Sequence, residues 1–183
     1  MKVINTKIRD LIIIEPTIYS DERGFFYELY NQDKYTNLGI EYKFVQDNRS
    51  RSTKNVMRGL HFQKKNPQGK LVTVTKGEVY DVAVDLRPGS ETFGQYEALI
   101  LSEENKKQFF IPPGFAHGFC VISEVADFYY KCTDFYSPAD EAGIIWNDPD
   151  IKIDWPVTEP ILSDKDKILP SFNEIKKQII SGW

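Results

Sequence analysis

KLVTVTKGEVYDVAVDL, residues 70–86, is the stretch that decides the fold. From residue 80 to residue 86, large apolar side chains at even positions alternate with aspartate and alanine at odd positions, a period of two that predicts a β-strand. Lys76-Gly77 separates this run from the apolar run 70–75. A glycine in so short a link favours a tight turn. The stretch therefore predicts a β-hairpin.

Similar runs recur along the chain, separated by Gly, Pro, Asn and Asp. They predict strands at 11–14, 24–30, 43–48, 56–62, 70–75, 78–86, 96–101, 108–111, 117–122 and 126–132. Helices are expected only at 31–38 and in the tail after Pro170, where Phe172, Ile175 and Ile179, with Ile180 beside them, form an apolar stripe. Many strands with short links favour an antiparallel sandwich or barrel. We predict one all-β domain, residues 1–183, with short helical segments, one of them C-terminal.

Composition excludes several classes of protein. The chain has 183 residues, a formal net charge of −4 and no apolar run near the ~20 residues that cross a bilayer. Its acidic balance argues against a general nucleic-acid binder, so a phosphate-bearing ligand needs a local cluster of Arg and Lys. The start lacks the apolar segment of a secretory signal, and Cys120 and Cys132 are too few for a disulfide scaffold. We predict a cytoplasmic protein with neither nucleic acid nor membrane as partner.

The two histidines have similar surroundings. His61 lies in RGLHFQ (58–63) and His117 in FAHGF (115–119), each beside glycine and phenylalanine on a strand-like segment. Glycine lets a ligand or another backbone approach closely, so one cavity lined by both is compatible with the pattern. The alternative is a hydrogen-bonded core histidine. Arg58 and His61 are three residues apart and face opposite sides of a regular strand, unless a bulge at Gly59 realigns them.

The histidines suggest proton chemistry more than metal binding. Structural zinc takes four nitrogen or sulfur ligands, which two histidines and two isolated cysteines do not supply. A facial triad of both histidines and one carboxylate remains formally possible. We predict no metal and no cofactor. A histidine general base then needs a carboxylate to fix its tautomer, and spacing does not choose among the candidates.

Three further groups have two interpretations each. Lys70 shares its face with Val72 and Val74, the face we expect to point inward, where an ammonium needs an anionic partner. An exposed strand end is the alternative. Tyr130 is either a core aromatic residue or a functional phenol. Asp166, in LSDKDK, is either a candidate carboxylate for a histidine base or part of a solvated loop.

Eight motifs occur together and in order: DERGFF (21–26), FVQDN (44–48), RGLHFQ (58–63), QGKLV (68–72), PGFAHGF (113–119), YKCT (130–133), WND (146–148) and ILSDKD (161–166). From about residue 2 to residue 170 the chain resembles the dTDP-4-dehydrorhamnose 3,5-epimerases. The resemblance implies a cofactor-free cupin jelly roll, or double-stranded β-helix, usually a homodimer with strands exchanged between subunits. It implies inversion of C3 and C5 of dTDP-4-dehydro-6-deoxy-D-glucose, a step of dTDP-L-rhamnose synthesis.

The resemblance also implies a role for each matching residue. His61 is the expected base, Asp166 its carboxylate partner, Tyr130 the acid on the opposite face of the sugar, and Lys70 the donor to the C4 oxygen. The nucleotide diphosphate sugar is expected to contact Arg23, Glu28, Gln46, Asn48, Arg58, Glu141 and Lys165, with His117 in the substrate pocket and Tyr136 stacked on thymine.

The chemistry agrees with these roles. The hydrogens at C3 and C5 are both alpha to the C4 ketone, so one cation placed at the C4 oxygen stabilises both enolates more than the ketone. Other functions stay open at this point. They are inversion at C3 or C5 alone, isomerisation of the keto group between C3 and C4, and a nucleotide-sugar-binding barrel without turnover.

Overall fold

The structure, a computed structural model, describes residues 1–181. Its strands are β1 Lys2–Asn5, β2 Ile12–Glu15, β3 Tyr19–Asp21, β4 Gly24–Phe26, β5 Gln46–Thr53, β6 Met57–Gln63, β7 Lys70–Lys76, β8 Glu78–Asp85, β9 Tyr96–Ser102, β10 Gln108–Ile111, β11 Phe115–Val121, β12 Val125–Cys132 and β13 Glu141–Gly143. The helices are α1 Gln32–Asn37, α2 Phe172–Ser181 and a 3₁₀ turn at Asp166–Ile168. Within residues 1–181, no helix is both long enough and apolar enough to cross a membrane.

Two antiparallel sheets form a jelly-roll sandwich. The six-stranded sheet has the order β1-β2-β10-β7-β12-β5, the five-stranded sheet has the order β13-β6-β11-β8-β9, and β3 with β4 forms a separate hairpin. The predicted hairpin of residues 70–86 turns at Gly77, but its two strands lie in different sheets, so the chain changes sheets there. The all-β jelly roll is confirmed.

The main core lies between the sheets, where Val72, Phe109 and Phe128 of one sheet pack with Val79 and Phe119 of the other. The outer face of the five-stranded sheet is covered by α2, and that of the six-stranded sheet by α1 and its neighbours. Strand β8 is therefore buried on both faces, because its even positions pack beneath α2 and its odd positions face the other sheet.

Some predicted boundaries are wrong. The strand expected at 24–30 ends at Phe26, since Gly24–Phe26 closes a short hairpin and the chain then turns toward α1. The strand expected at 43–48 is displaced to Gln46–Thr53, and the sequence analysis did not predict β1, β3 and β13. The C-terminal helix is confirmed from Phe172 to Ser181. One domain over 1–183 stays a prediction, and residues 182–183 lie outside the described range.

A bulge in β6 turns Arg58 and His61 toward the same side. His61 lies opposite His117 and Arg58 lies opposite Phe119, so three steps on β6 face two steps on β11. At the bulge, Gly59 has φ +121°, and a Cβ there would lie 2.5 Å from the Gly118 Cα. Glycine permits both this conformation and this close approach. Of the two arrangements left open by the sequence, the structure has the bulge.

Candidate active site

Two adjoining cavities of about 260 and 400 Å³ open between the sheets. His61, Lys70 and Tyr130 line both of them. The first cavity is further lined by Gln46, Asn48, Phe62, Gln63, Gln68, Phe115, Cys132, Tyr136 and Glu141. The second is further lined by Ser50, Val56, Arg58, His117, Phe119, Phe128, Ser163, Lys165 and Asp166. The three shared side chains therefore stand where the cavities meet.

His61 is paired with a buried carboxylate. Its Nε2 lies 2.6 Å from Asp166 Oδ1, and the Asp166 side chain is 4% exposed whereas that of His61 is 28% exposed. Burial raises the pKa of Asp166, but hydrogen bonds from His61, Ser163 and the Gly59 backbone outweigh it and hold the pKa below its ordinary value. A charged carboxylate only accepts, so Nε2 carries the hydrogen, and in the neutral ring the lone pair is on Nδ1. This tautomer is the one a general base requires.

The segment that carries Asp166 is tied to β6. Ile161 exchanges backbone hydrogen bonds with Asn55 and Met57, and the Asp166 N–H donates to Ser163 Oγ at 3.1 Å. Sequence spacing allowed a solvated loop here. The structure instead buries the carboxylate against the histidine strand.

His117 forms a second histidine–carboxylate pair. Its Nε2 lies 3.0 and 3.1 Å from the two oxygens of Asp81, which is fully buried. Burial lowers the pKa of His117, Asp81 opposes that effect, and Lys70 adds to it, so the net direction is down. His117 is therefore a neutral hydrogen-bonding group. Asp81 was given no role from the sequence, although an aspartate inside a strand that is apolar on both sides was a usable signal.

Lys70 and Tyr130 complete the shared wall. Burial lowers the pKa of Lys70, and nearby Cys132, Asp81 and Glu141 partly oppose this. Within residues 1–181, no carboxylate oxygen lies within 4.0 Å of its ammonium. Burial raises the pKa of Tyr130, so its phenol stays protonated and can act as an acid. A base, an acid and an ammonium around one cavity can move protons next to a carbonyl group.

Polar and cationic groups surround these three. Arg58 donates to Ser52 Oγ at 3.1 and 3.2 Å. The Lys165 ammonium pairs with Glu141, which also accepts from Tyr136 Oη at 2.6 Å. Burial raises the pKa of Glu141, but these two hydrogen bonds outweigh it and lower the pKa. The Arg58 and Lys165 cations give the second cavity a local positive charge in an acidic protein.

Arg23 and Glu28 do not line either cavity. Arg23 lies at the turn of the β3–β4 hairpin, 85% exposed and paired with Asp21, and Glu28 binds Lys34 at 2.6 Å. The structure brings all the other predicted site residues to the cavity walls. The sequence analysis missed Ser50, Ser163, Gln63, Gln68 and Cys132. Gln63 and Gln68 share the strand parity of His61 and Lys70, which was an available signal.

The described residues offer no obvious metal site. Across residues 1–181, no group of three or more His, Cys, Asp and Glu side chains is placed to hold an ion. Each histidine instead uses its Nε2 on a single carboxylate.

The fold is a jelly roll, and its site can move protons beside a carbonyl group. A family model described as dTDP-4-dehydrorhamnose 3,5-epimerase matches residues 5–174. The chain belongs to this family.

Similar proteins include the dTDP-4-dehydrorhamnose 3,5-epimerase of Pseudomonas aeruginosa, 56% identical over 169 residues that cover 91% of this chain and 93% of the relative. A crystal structure of the Legionella pneumophila enzyme in complex with dTDP-4-keto-L-rhamnose has a TM-score of 0.94 and 57% identity, covering 97% and 96% of the two chains. The crystal structure of ChmJ, a 3'-monoepimerase from Streptomyces bikiniensis in complex with dTDP-quinovose, has a TM-score of 0.88 and 29% identity. The match covers 97% of this chain and 93% of the ChmJ chain.

Proposed function

We propose that this chain inverts C3 and C5 of dTDP-4-dehydro-6-deoxy-D-glucose, the step that leads toward dTDP-L-rhamnose, without a cofactor. The observation that carries the proposal is the shared wall of the two cavities. There His61, bonded to Asp166 at 2.6 Å, stands with Lys70 and Tyr130. The match to the 3,5-epimerase family over residues 5–174 supports the same reaction.

The reaction needs only these side chains. His61 Nδ1 takes the proton at C3 or C5, the C–H electron pair forms the enolate double bond, and the carbonyl electrons move to O4 beside the Lys70 ammonium. Tyr130 then gives its proton to the opposite face of the same carbon, and the stereocentre is inverted. Exchange with water resets both groups before the second carbon reacts.

The remaining predicted residues bind the nucleotide. Arg58 and Lys165 offset the diphosphate charge, Gln46, Asn48 and Glu141 bind polar groups, His117 lies in the sugar pocket and Tyr136 stacks on thymine. We place the enzyme in the cytoplasm as a homodimer. In this dimer Arg23 and Glu28 act at the partner subunit's cavity, since neither lines the two cavities that His61 lines in its own chain.

Isotope exchange tests the reaction directly. The enzyme is incubated with dTDP-4-dehydro-6-deoxy-D-glucose in deuterium oxide, and deuterium at each carbon is measured by NMR. Deuterium at both C3 and C5 in an inverted product is the expected result. The absence of deuterium at both carbons would leave only a binding protein.

Inversion at one carbon is the second candidate. The 3'-monoepimerase has the same fold, with a TM-score of 0.88, so the fold alone does not separate the two functions. Deuterium at C3 alone would support that function and exclude double inversion.

A further inference from the structure

Residues 134–137, here named the aromatic loop, carry two exposed rings, of which that of Tyr136 lines the first cavity. Phe135 is 65% exposed and Tyr136 is 50% exposed, so neither ring is held by packing in a core. The loop is instead held through its backbone by glutamine side chains. Two carbonyls of the loop accept from amides: Asp134 from Gln68 Nε2 at 2.8 Å and Phe135 from Gln63 Nε2 at 3.2 Å. Two N–H groups of the loop donate to amide oxygens: Ser137 to Gln63 Oε1 at 2.7 Å and Tyr136 to Gln46 Oε1 at 3.0 Å.

The three glutamines connect the loop to both sheets. Gln46 lies on β5 of the six-stranded sheet, Gln63 on β6 of the five-stranded sheet, and Gln68 just before β7. All three line the first cavity with Tyr136. A four-residue loop with a backbone contact at every residue is fixed relative to the catalytic strand before any ligand is present.

Gln63 has little capacity left for a ligand. Its side chain is buried, at 5% exposure, and its amide also donates to the Asn66 carbonyl at 2.7 Å. Together with the contacts to Phe135 and Ser137, this directs the Gln63 amide at the protein.

We propose that Gln63 and Gln68 are positioning residues that hold the Tyr136 ring ready for a flat nucleobase, so that the ligand does not bear the cost of ordering the loop. This inference rests on the proposed function, in which Tyr136 stacks on thymine. A preorganised ring raises affinity because less conformational entropy is lost on binding. Its effect belongs to nucleotide binding and not to proton transfer.

Gln68→Met and Gln63→Met test the inference, because methionine keeps the side-chain length and removes the amide. We expect the Kd for dTDP, measured by calorimetry, and the KM of epimerisation to rise about tenfold, with kcat within about twofold of wild type. Gln108→Met is the matched control. Gln108 is a buried glutamine that donates to the Leu29 carbonyl at 2.7 Å and lines neither cavity, so its loss should lower Tm and leave the Kd unchanged.

A double variant separates positioning from direct contact. In a Tyr136→Ala background, Gln68→Met should change the Kd for dTDP by less than about twofold, because the ring that it positions is gone. Additive losses would show that Gln68 touches the nucleotide itself and would overturn the inference. So would an unchanged Kd in Gln68→Met, or a wild-type chain that does not bind dTDP. If Gln63→Met fails to fold, the Kd of Gln68→Met for dTDP tests the inference by itself. A wild type that binds dTDP without epimerising anything refutes the proposed function only.

Discussion

His61 differs from a core histidine in the asymmetry of its surroundings. One ring nitrogen is held by a carboxylate that is almost fully buried, whereas the side chain keeps 28% of its surface exposed to the cavities. A purely structural histidine is satisfied on both sides. The bulge at Gly59 produces this exposure, because it turns His61 to the cavity side that Arg58 also faces.

Replacing the base should abolish turnover without unfolding the protein. His61→Asn removes the imidazole, so no ring nitrogen remains to take a proton from carbon. We expect kcat to fall by at least about 10²-fold, as for loss of a general base. Turnover is measured by NMR of the product, and circular dichroism checks the fold. Activity near wild type would remove His61 from the mechanism.

Isotope exchange should distinguish the role of Tyr130 from that of His61. Tyr130→Phe removes the phenolic proton and keeps the ring, whose centroid lies 5.8 Å from that of Phe128. Abstraction by His61 and its reversal on the same face still exchange the hydrogen, so substrate incubated in deuterium oxide should acquire label. Inverted product should form at least about 10²-fold more slowly.

The control for this prediction is Tyr129→Phe. That neighbouring phenol donates outward to Asp47 at 2.8 Å and lines neither cavity, so its removal should leave both rates unchanged. Equal loss of exchange and inversion in Tyr130→Phe would show that Tyr130 is not the acid.

Among the elements, the β8–β9 connection depends on one buried carboxylate. Asp85, fully buried at the end of β8, accepts from the Arg87 guanidinium at 2.8 and 3.0 Å and from the hydroxyls of Ser90 and Thr92 at 2.6 Å. Burial raises the pKa of Asp85, and these hydrogen bonds outweigh that effect and lower it. The carboxylate therefore organises the whole loop.

Asp85→Asn should lower the free energy of unfolding by about 1–3 kcal/mol at pH 7, because a charged acceptor of several hydrogen bonds is lost. The folded-state pKa is below the unfolded value of about 3.9, so the stabilisation is complete above that pH and disappears as the pH falls through the folded-state value. Thermal unfolding of both proteins from pH 7 to pH 3 should show the difference in Tm shrink only below about pH 4.

Asp164→Asn provides the comparison for this measurement, since the Asp164 side chain is 99% exposed and, among residues 1–181, bonds only Lys167. It should leave Tm unchanged. A Tm difference for Asp85→Asn that does not vary with pH would contradict the charged-acceptor explanation.

The elements also show where sequence reasoning works and where it stops. Apolar and alternating runs placed β7, β8 and β12 correctly, and the parity of Lys70 with Val72 and Val74 indicated a face that turns inward. Strand β5 was misplaced because its inward residues, among them Gln46, Asn48 and Ser50, are polar. A strand that lines a polar cavity has no apolar period. Its alternation of neutral and charged residues was the signal to use.

The site was predictable to a similar degree. Residue types suggested proton chemistry, and the resemblance supplied the roles. Spacing did not choose the carboxylate of His61, because Asp166 lies 105 residues further along the chain and reaches it only through the fold. The pairing of His117 with Asp81 has the same cause, since the two lie on neighbouring strands β11 and β8.

At the scale of the whole molecule, the β3–β4 hairpin stands out because its aromatic side chains are exposed in a single chain. Tyr19, Phe25 and Phe26 are 64%, 61% and 69% exposed, and Arg23 lies at the turn between the strands. Exposed aromatic clusters of this kind mark interaction sites. The proposed homodimer covers them with a second copy of the chain and brings Arg23 to the partner subunit's cavity.

Mixing a chain that lacks the base with a chain that lacks Arg23 tests this exchange. In a heterodimer of His61→Asn and Arg23→Ala chains, one cavity contains both changes and the other contains neither, provided that Arg23 serves the partner's cavity. The two proteins are unfolded together, refolded at equal concentrations and assayed. We expect about a quarter of wild-type activity, because half of the random dimers are mixed and each has one intact cavity of two. Each variant refolded alone is the control. If Arg23 served its own chain's cavity, every cavity in the mixture would lack one residue, and activity would stay at the level of the separate variants.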